Sequence, residues 1–320
     1  MNGKALLANT TLQHNFGGLA RLKLFMALSR TPHGLLDMTT PAFGALLWLA
    51  AFPPVPTIIL GLITVFAGYT AVYALNDVID YRVDREKARI AGGLRESDDY
   101  LDAMLVRHPM AQGLLSFKEG LFWALGWSAV ALIGAYILNP ICVLIFLAGC
   151  VLETVYCLML RISPFRTIIS GGVKTSGAVA AVFAVDPNPS LLYVAALFVW
   201  LFFWEIGGQN IPADWADVEE DRQLKAQTIP VRFGSGGAAA IALWTICISL
   251  VLNLVMIQFS QIDTKLPFAI ASLVAGGALL LPPTFQLYRT GDRRWAMALF
   301  NRASYYPVVM LLLIVVKIML

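Results

Sequence analysis

Apolar residues run along this chain in long, nearly unbroken stretches of about 20, the length a helix needs to cross the hydrocarbon core of a bilayer. Nine such stretches stand out, at roughly 33–52, 55–75, 120–138, 140–160, 166–186, 190–210, 238–258, 267–287 and 303–320. They are rich in Leu, Ala and Ile and lack the short polar–apolar alternation of barrel strands, so the pattern predicts helices. Pro53-Pro54 and Asn139-Pro140 predict tight turns between antiparallel neighbours. Residues 1–32 differ: Lys4, Arg21, Lys23 and Arg30 are interleaved with apolar residues from Phe16 to Leu28. No apolar run there leads into a small-residue cleavage site, so the segment reads as an amphipathic helix on the membrane surface rather than a signal peptide. The fold class expected is all-α and polytopic: a bundle of about nine transmembrane helices over 33–320, preceded by the amino-terminal segment 1–32.

Composition strengthens that picture. Hydrophobic residues make up 58% of the 320 and charged ones only 13%, against roughly 25% charged in an ordinary globular domain. Too few charges remain to cover a soluble surface, which excludes a soluble nucleotide-binding enzyme, a disulfide-stapled secreted scaffold and a disordered regulator. A net charge of +3 is too small to imply nucleic acid. Cys142, Cys150, Cys157 and Cys247 lie inside apolar runs and read as packing residues. Of 23 Lys and Arg, all but Lys174, Lys265 and Lys317 fall in the amino-terminal segment or after the even-numbered spans. This bias places the amino terminus and those connections in the cytoplasm, at an inner or plasma membrane, and the carboxyl terminus outside.

Candidate chemistry is concentrated where the second and sixth spans reach the cytoplasm. One cluster carries Asp77, Asp80 and Asp84 after Asn76; the other carries Asp214, Asp217 and Asp221, with Asn210 one turn earlier. Both have the spacing D-x-x-D-x-x-x-D. At about 100° per residue these positions fall within roughly 60° of one another, so each cluster presents three carboxylates on one helix face. Like charges so placed repel and call for a positive partner. Mg²⁺ suits them, because it binds through a few carboxylates together with substrate phosphate oxygens. Two such faces looking at each other would hold metal on both sides of a diphosphate. Arg82, Arg85, Lys87, Arg89, Arg161, Arg222, Lys225 and Arg232 flank the clusters as candidate phosphate contacts or as topology determinants.

These residues resemble the motifs of the UbiA superfamily of intramembrane prenyltransferases. Asn76, Asp77, Asp80 and Asp84 match its N-D-x-x-D-x-x-x-D, and Asp217 and Asp221, with Asp214, match its second D-x-x-x-D. The run from Thr228 to Gly234 is similar to the T-L-P-V-x-x-G that follows the second motif. Arg107-His108-Pro109 with Gly113 is similar to the N-R-P-x-x-x-G that follows the first. The chain departs from the family at the end of the fourth span, where Tyr-x-x-x-Lys is usual: Tyr156 is followed by Leu160, and the cation is Arg161. The resemblance implies a helical bundle around a central cavity with cytoplasmic cap loops. It also implies an allylic polyprenyl diphosphate donor, Mg²⁺ and a hydrophobic acceptor, most often aromatic as in quinone biosynthesis. Carotenoid, tetrapyrrole, glycerol phosphate lipid and sugar phosphate acceptors also occur in the family.

Polar groups within the predicted spans complete the candidate site. Asp37, Glu153, Lys174, Glu205, Gln209 and Asn210 are expected to face the bundle interior, since a charge at mid-bilayer costs about 2.5–3.5 kcal/mol on the mildest scale. Glu205 is a candidate to orient an acceptor or act as base, and Asp37 and His33 are candidates for acceptor contact. Tyr156, Arg161, Lys174 and Lys225 are candidates for the diphosphate. Lys174 stands either as the replacement for the missing family lysine or as a partner of Glu153 or Glu205. His14 and His108 read as surface residues, and the acidic insert Glu96, Asp98, Asp99 and Asp102 as a solvated loop. A CDP-alcohol phosphotransferase is disfavoured because neither cluster has that class's glycine and alanine-arginine run. An ion-coupled transporter is disfavoured because the acids lie at helix ends rather than at mid-depth.

Overall fold

The structure is a computed structural model that describes residues 17–90 and 105–320. Helices α1 (Gly18–Leu28), α2 (Thr31–Asp37), α3 (Thr39–Leu49), α4 (Val55–Ile90), α5 (Phe117–Leu138), α6 (Pro140–Leu158) and α7 (Arg166–Val185) form the first part. There follow α8 (Leu191–Trp204), a π-helical segment (Glu205–Asn210), α9 (Ile211–Ala216), α10 (Val218–Gln223), α11 (Ile229–Phe259), α12 (Lys265–Thr290) and α13 (Arg293–Met319). The described residues contain no strand.

Eight of the nine predicted spans appear as helices long and apolar enough to cross a membrane, one of them running unbroken from α8 through the π segment to Ala216. The first, 33–52, is instead two short helices that meet at Met38. The second extends far past its apolar run. Once α4 has formed, the polar residues from Asn76 to Arg89 simply continue it, because each added residue gains a backbone hydrogen bond. The predicted turns hold: Asn139 accepts from the Ile141 N–H at 2.9 Å and Pro140 opens α6. At α5, Ser116 and Glu119 form a reciprocal capping box.

Between Glu205 and Asn210 the hydrogen-bond ladder shifts: Ile211 donates to the carbonyl of Ile206, five residues back. Pro212 lacks the N–H that would bond to Gly208, so an α-helical ladder could not run through this point. The chain bends again at Asp217 (φ −105°, ψ 10°), so the second acidic cluster does not lie on one regular helix as its spacing predicts.

The main core brings α3, α8, α11 and α13 together around Phe43, Tyr193, Trp200 and Trp204, all fully buried. These aromatics pack the bundle, and Phe203, next to them in the chain, does not line the cavity. Large apolar side chains such as Ile133, Tyr136, Leu144, Val151 and Trp244 face outward, as suits a lipid-facing belt. Helix α1 buries Leu24 and Leu28 in a smaller cluster with Ala74, Val78 and Leu115. The remainder of the predicted amino-terminal segment, with His14, and the acidic insert at 96–102 lie outside the described residues.

Candidate active site

A cavity of about 580 Å³ opens between α3, α4, α6, α7 and the π segment. One end is polar, lined by Asn76, Asp80, Asp84, Asp214 and Asp217; the other runs between apolar and small residues such as Ala45, Leu62, Val65 and Phe146.

The acidic clusters converge at the polar end, and basic side chains bridge them. Arg107 holds Asp217 with two hydrogen bonds, at 2.7 and 3.0 Å, while its neighbour His108 lies 3.2 Å from Asp77 and 3.0 Å from Asp84. Lys87, on the first cluster's own helix, reaches across to Asp221 at 2.8 Å and Asp217 at 3.5 Å. Arg30 donates to Asn76 at 3.1 Å and to Asp77 at 3.4 Å. These cations occupy the ground between the carboxylates, which a metal–diphosphate headgroup would require them to share.

Two groups outside the spans show the electrostatic consequence. Burial opposes charge on His108, yet Asp84 and Asp77 outweigh it and raise the imidazole to about 9. Burial likewise pushes Asp217 upward, but Arg107 and Lys87 dominate and hold its carboxyl below the usual range. His108 is therefore part of the acidic site and not the surface residue its sequence position suggests. The residue type was visible in the sequence; what was missing was the fold of the loop that returns it to α4.

Helix α7 carries a polar ladder from this site into the bundle. Arg166 lies 3.6 Å from Asp214 and stacks over the ring of Tyr156, centroid distance 4.0 Å, while donating to its hydroxyl. Thr167 donates to Asn210 at 2.7 Å, Ser170 to Glu205 at 2.9 Å, and Lys174 to Asp37 at 2.5 Å. These positions fall on one face of the helix, one or two turns apart. On α6, Glu153 accepts from Asn76 at 2.6 Å.

Of the residues singled out from the sequence, Asn76, Asp80, Asp84, Tyr156, Lys174, Glu205, Asn210, Asp214 and Asp217 line the cavity. Asp77 and Asp221 are buried beside it against His108 and Lys87. Arg82, Arg85, Arg89, Arg161, Arg222, Lys225 and Arg232 do not join them: all are exposed and none lines the cavity. Arg161 pairs with Glu86 at 2.6 Å, and Lys225 lies in a left-handed turn at φ 57°. Both sit beyond the helix ends, where the chain turns away from the cavity. Lys174 pairs with Asp37, not with Glu153 or Glu205. Sequence reasoning missed Arg166. It opens a predicted span, where a cation reads as a topology signal, and only packing shows it buried against Tyr156 and Asp214.

The sequence model of the UbiA prenyltransferase family matches residues 38–305. The chain is 22% identical over 280 residues to digeranylgeranylglyceryl phosphate synthase of Thermococcus kodakarensis, covering 86% of this chain and 90% of that protein. To protoheme IX farnesyltransferase of Thioalkalivibrio sulfidiphilus it is 25% identical over 319 residues, covering 97% and 96%. The fold is similar to the solved structure of a UbiA homolog from Archaeoglobus fulgidus bound to GPP and Mg²⁺, with a TM-score of 0.67 at 16% identity, covering 92% of this chain and 99% of that one.

Proposed function

The chain belongs to the UbiA prenyltransferase family, an integral, multi-pass membrane enzyme, and on that premise we propose that it transfers a polyprenyl group from an allylic polyprenyl diphosphate to an aromatic acceptor, with Mg²⁺ as cofactor. The observation that carries this reading is the convergence of the two acidic clusters at one end of a cavity whose other end is apolar.

The donor set fits the ion. One carboxylate oxygen each from Asp77 and Asp84 lies within 4.8 Å of the other, and Asp80, Asp214 and Asp217 line the same end of the cavity. Oxygen-rich sets of this kind suit Mg²⁺, which also takes phosphate oxygens. Asp77, Asp80 and Asp84 on one side, and Asp214, Asp217 and Asp221 on the other, would hold it. When bound, the metal supplies Lewis-acid stabilisation of the charge that develops on the departing diphosphate.

The chain's own groups do the rest. Arg166, Lys87, Arg107 and Arg30 stand where diphosphate oxygens would lie, and Arg166 Nε and Nη1 are buried without a hydrogen-bond partner among the described residues. Their donors favour the leaving group as its charge grows. Apolar walls shield the allylic cation from water, and Tyr73, on the cavity wall, offers a ring face to it. His33 and Phe300, also lining the cavity, stack at 5.3 Å and 18° and present a flat surface suited to an aromatic ring. The distribution of Lys and Arg supports a cytoplasmic amino terminus and cytoplasmic acidic loops.

The test is to incubate purified protein with farnesyl and geranylgeranyl diphosphates, Mg²⁺ and a panel of acceptors, and to identify lipid products by mass. Transfer should stop with a chelator and in Asp77→Ala and Asp217→Ala while both variants still insert. Full turnover by either variant at saturating Mg²⁺ would overturn the assignment.

A further inference from the structure

Unpartnered polar atoms line the cavity at both ends. At the acidic end they include Arg166 Nε and Nη1 as donors and Asp214 Oδ2 as an acceptor. Deeper, on the π segment, they are acceptors: Glu205 Oε2 and Gln209 Oε1 are buried without a partner among the described residues, and both residues line the cavity. Glu205 is 6% exposed and Gln209 3%. Glu205 uses its other oxygen to accept from Ser170 at 2.9 Å, and Gln209 spends its amide nitrogen on Ser304 at 3.0 Å. A buried acceptor left without a donor costs on the order of 1–3 kcal/mol, more when charged, so both call for a donor from whatever fills the space.

The nearby cation cannot change this balance. Lys174 has three N–H donors. Asp37 Oδ2 lies 2.5 Å from its Nζ, the Tyr73 hydroxyl 3.0 Å and His33 Nε2 3.5 Å. All three directions are met by protein, and Asp37 neutralises the charge. Glu153, the other carboxylate lining this region, already accepts from Asn76. An incoming carboxylate or phosphate would meet the Glu153 and Glu205 carboxyl groups while Lys174 is held by Asp37 and Arg166 and Arg30 stand at the acidic end beside Asp214 and Asp77, and like charges brought together in a buried site disfavour each other.

We propose that the acceptor is an uncharged molecule that donates an O–H or N–H to Glu205 and Gln209, not one anchored by a carboxylate or phosphate. This rests on the prenyl-transfer reading and specifies its second substrate. The donor's C1–O bond breaks with both electrons leaving on the diphosphate. A bond forms between that carbon and the acceptor's nucleophilic atom, a hydroxyl oxygen or the ring carbon it activates. The proton lost by the acceptor passes to the Glu205 carboxylate.

Matched acceptors test this directly: methyl 4-hydroxybenzoate against 4-hydroxybenzoate, and hydroquinone against glycerol phosphate, each with farnesyl diphosphate and Mg²⁺. Transfer to an uncharged member at least tenfold faster than to its anionic counterpart is the expected result. Equal or faster transfer to an anionic member, or transfer to no uncharged member, overturns the proposal. Calorimetric titration of farnesyl diphosphate with Mg²⁺ keeps the two readings separate: absence of donor binding marks failure of the prenyl-transfer assignment itself. Glu205→Gln and Gln209→Met should each bind donor within twofold of the parent protein. Acceptor kcat/KM should fall at least a hundredfold in the first and about tenfold in the second. Unchanged acceptor kinetics in both would also overturn it.

Discussion

Thr167 and Asn210 are joined by a 2.7 Å hydrogen bond, and the same amide donates from its nitrogen to the Tyr156 hydroxyl at 3.0 Å. One side chain on the π segment thus ties α7 to α6, and through Tyr156 it sets the guanidinium of Arg166. Replacing Asn210 by Leu leaves the buried Thr167 hydroxyl without its acceptor, at about 1–3 kcal/mol, and removes one of the two donors to the Tyr156 hydroxyl. Donor affinity should weaken by roughly tenfold or more, read by titration with farnesyl diphosphate and Mg²⁺, while the helical circular dichroism is unchanged.

Arg166 and Arg161 make a contrasting pair. Arg166 is buried and engages Tyr156 and Asp214; Arg161, among the described residues, pairs with the exposed Glu86. Arg166→Lys removes the planar stacking surface and should lower donor affinity about tenfold, since Lys does not reproduce guanidinium geometry. Arg161→Ala removes an exposed pair worth about 0–1 kcal/mol and should leave affinity within twofold. Equal effects of the two would contradict the placement of the diphosphate beside α7.

His108 makes metal-free stability depend on pH. Its folded pKa, about 9, lies above the ordinary 6.5 because Asp84 and Asp77 override its burial. The stability it contributes is therefore fully present below about 6.5 and is lost as pH rises through 9. Thermal melts of metal-free protein should fall across that interval, and His108→Ala should flatten the dependence. Saturating Mg²⁺, which competes for Asp77 and Asp84, should flatten it as well.

Gly207 sits where the π segment meets α11, where a Cβ would overlap the Thr245 hydroxyl and press against the Ala242 carbonyl at 3.0 Å. The Ala242 backbone cannot move aside as a flexible side chain would. Gly207→Val should destabilise the protein by about 1–3 kcal/mol. It should also reduce acceptor turnover, because the displaced turn carries Glu205 and Gln209. Melting temperature and kcat/KM check the two effects separately.

Much of this protein is legible along the chain. Hydrophobic run length locates eight of the nine expected spans, because the bilayer demands a minimum length of apolar helix, but it does not set their ends: α4, α11 and α13 run well past their apolar stretches. The spacing of Asp77, Asp80 and Asp84 survives intact, since α4 is a regular helix that continues past its apolar part. The matching spacing of Asp214, Asp217 and Asp221 identifies the second cluster but not its shape, because the bend at Asp217 alters the turns between them.

What the tertiary structure alone decides is pairing. Nothing in the sequence joins Lys174 to Asp37, 137 residues away, or assigns Tyr156 to Arg166 instead of Arg161. Such contacts depend on which faces of separate helices meet, and periodicity reports only that a face is polar. Local spacing thus determines the carboxylate clusters and the membrane spans. The packing of α4, α6, α7 and the π segment determines which donors and acceptors are left free, because a buried polar group is spent or available only according to its neighbours across the bundle.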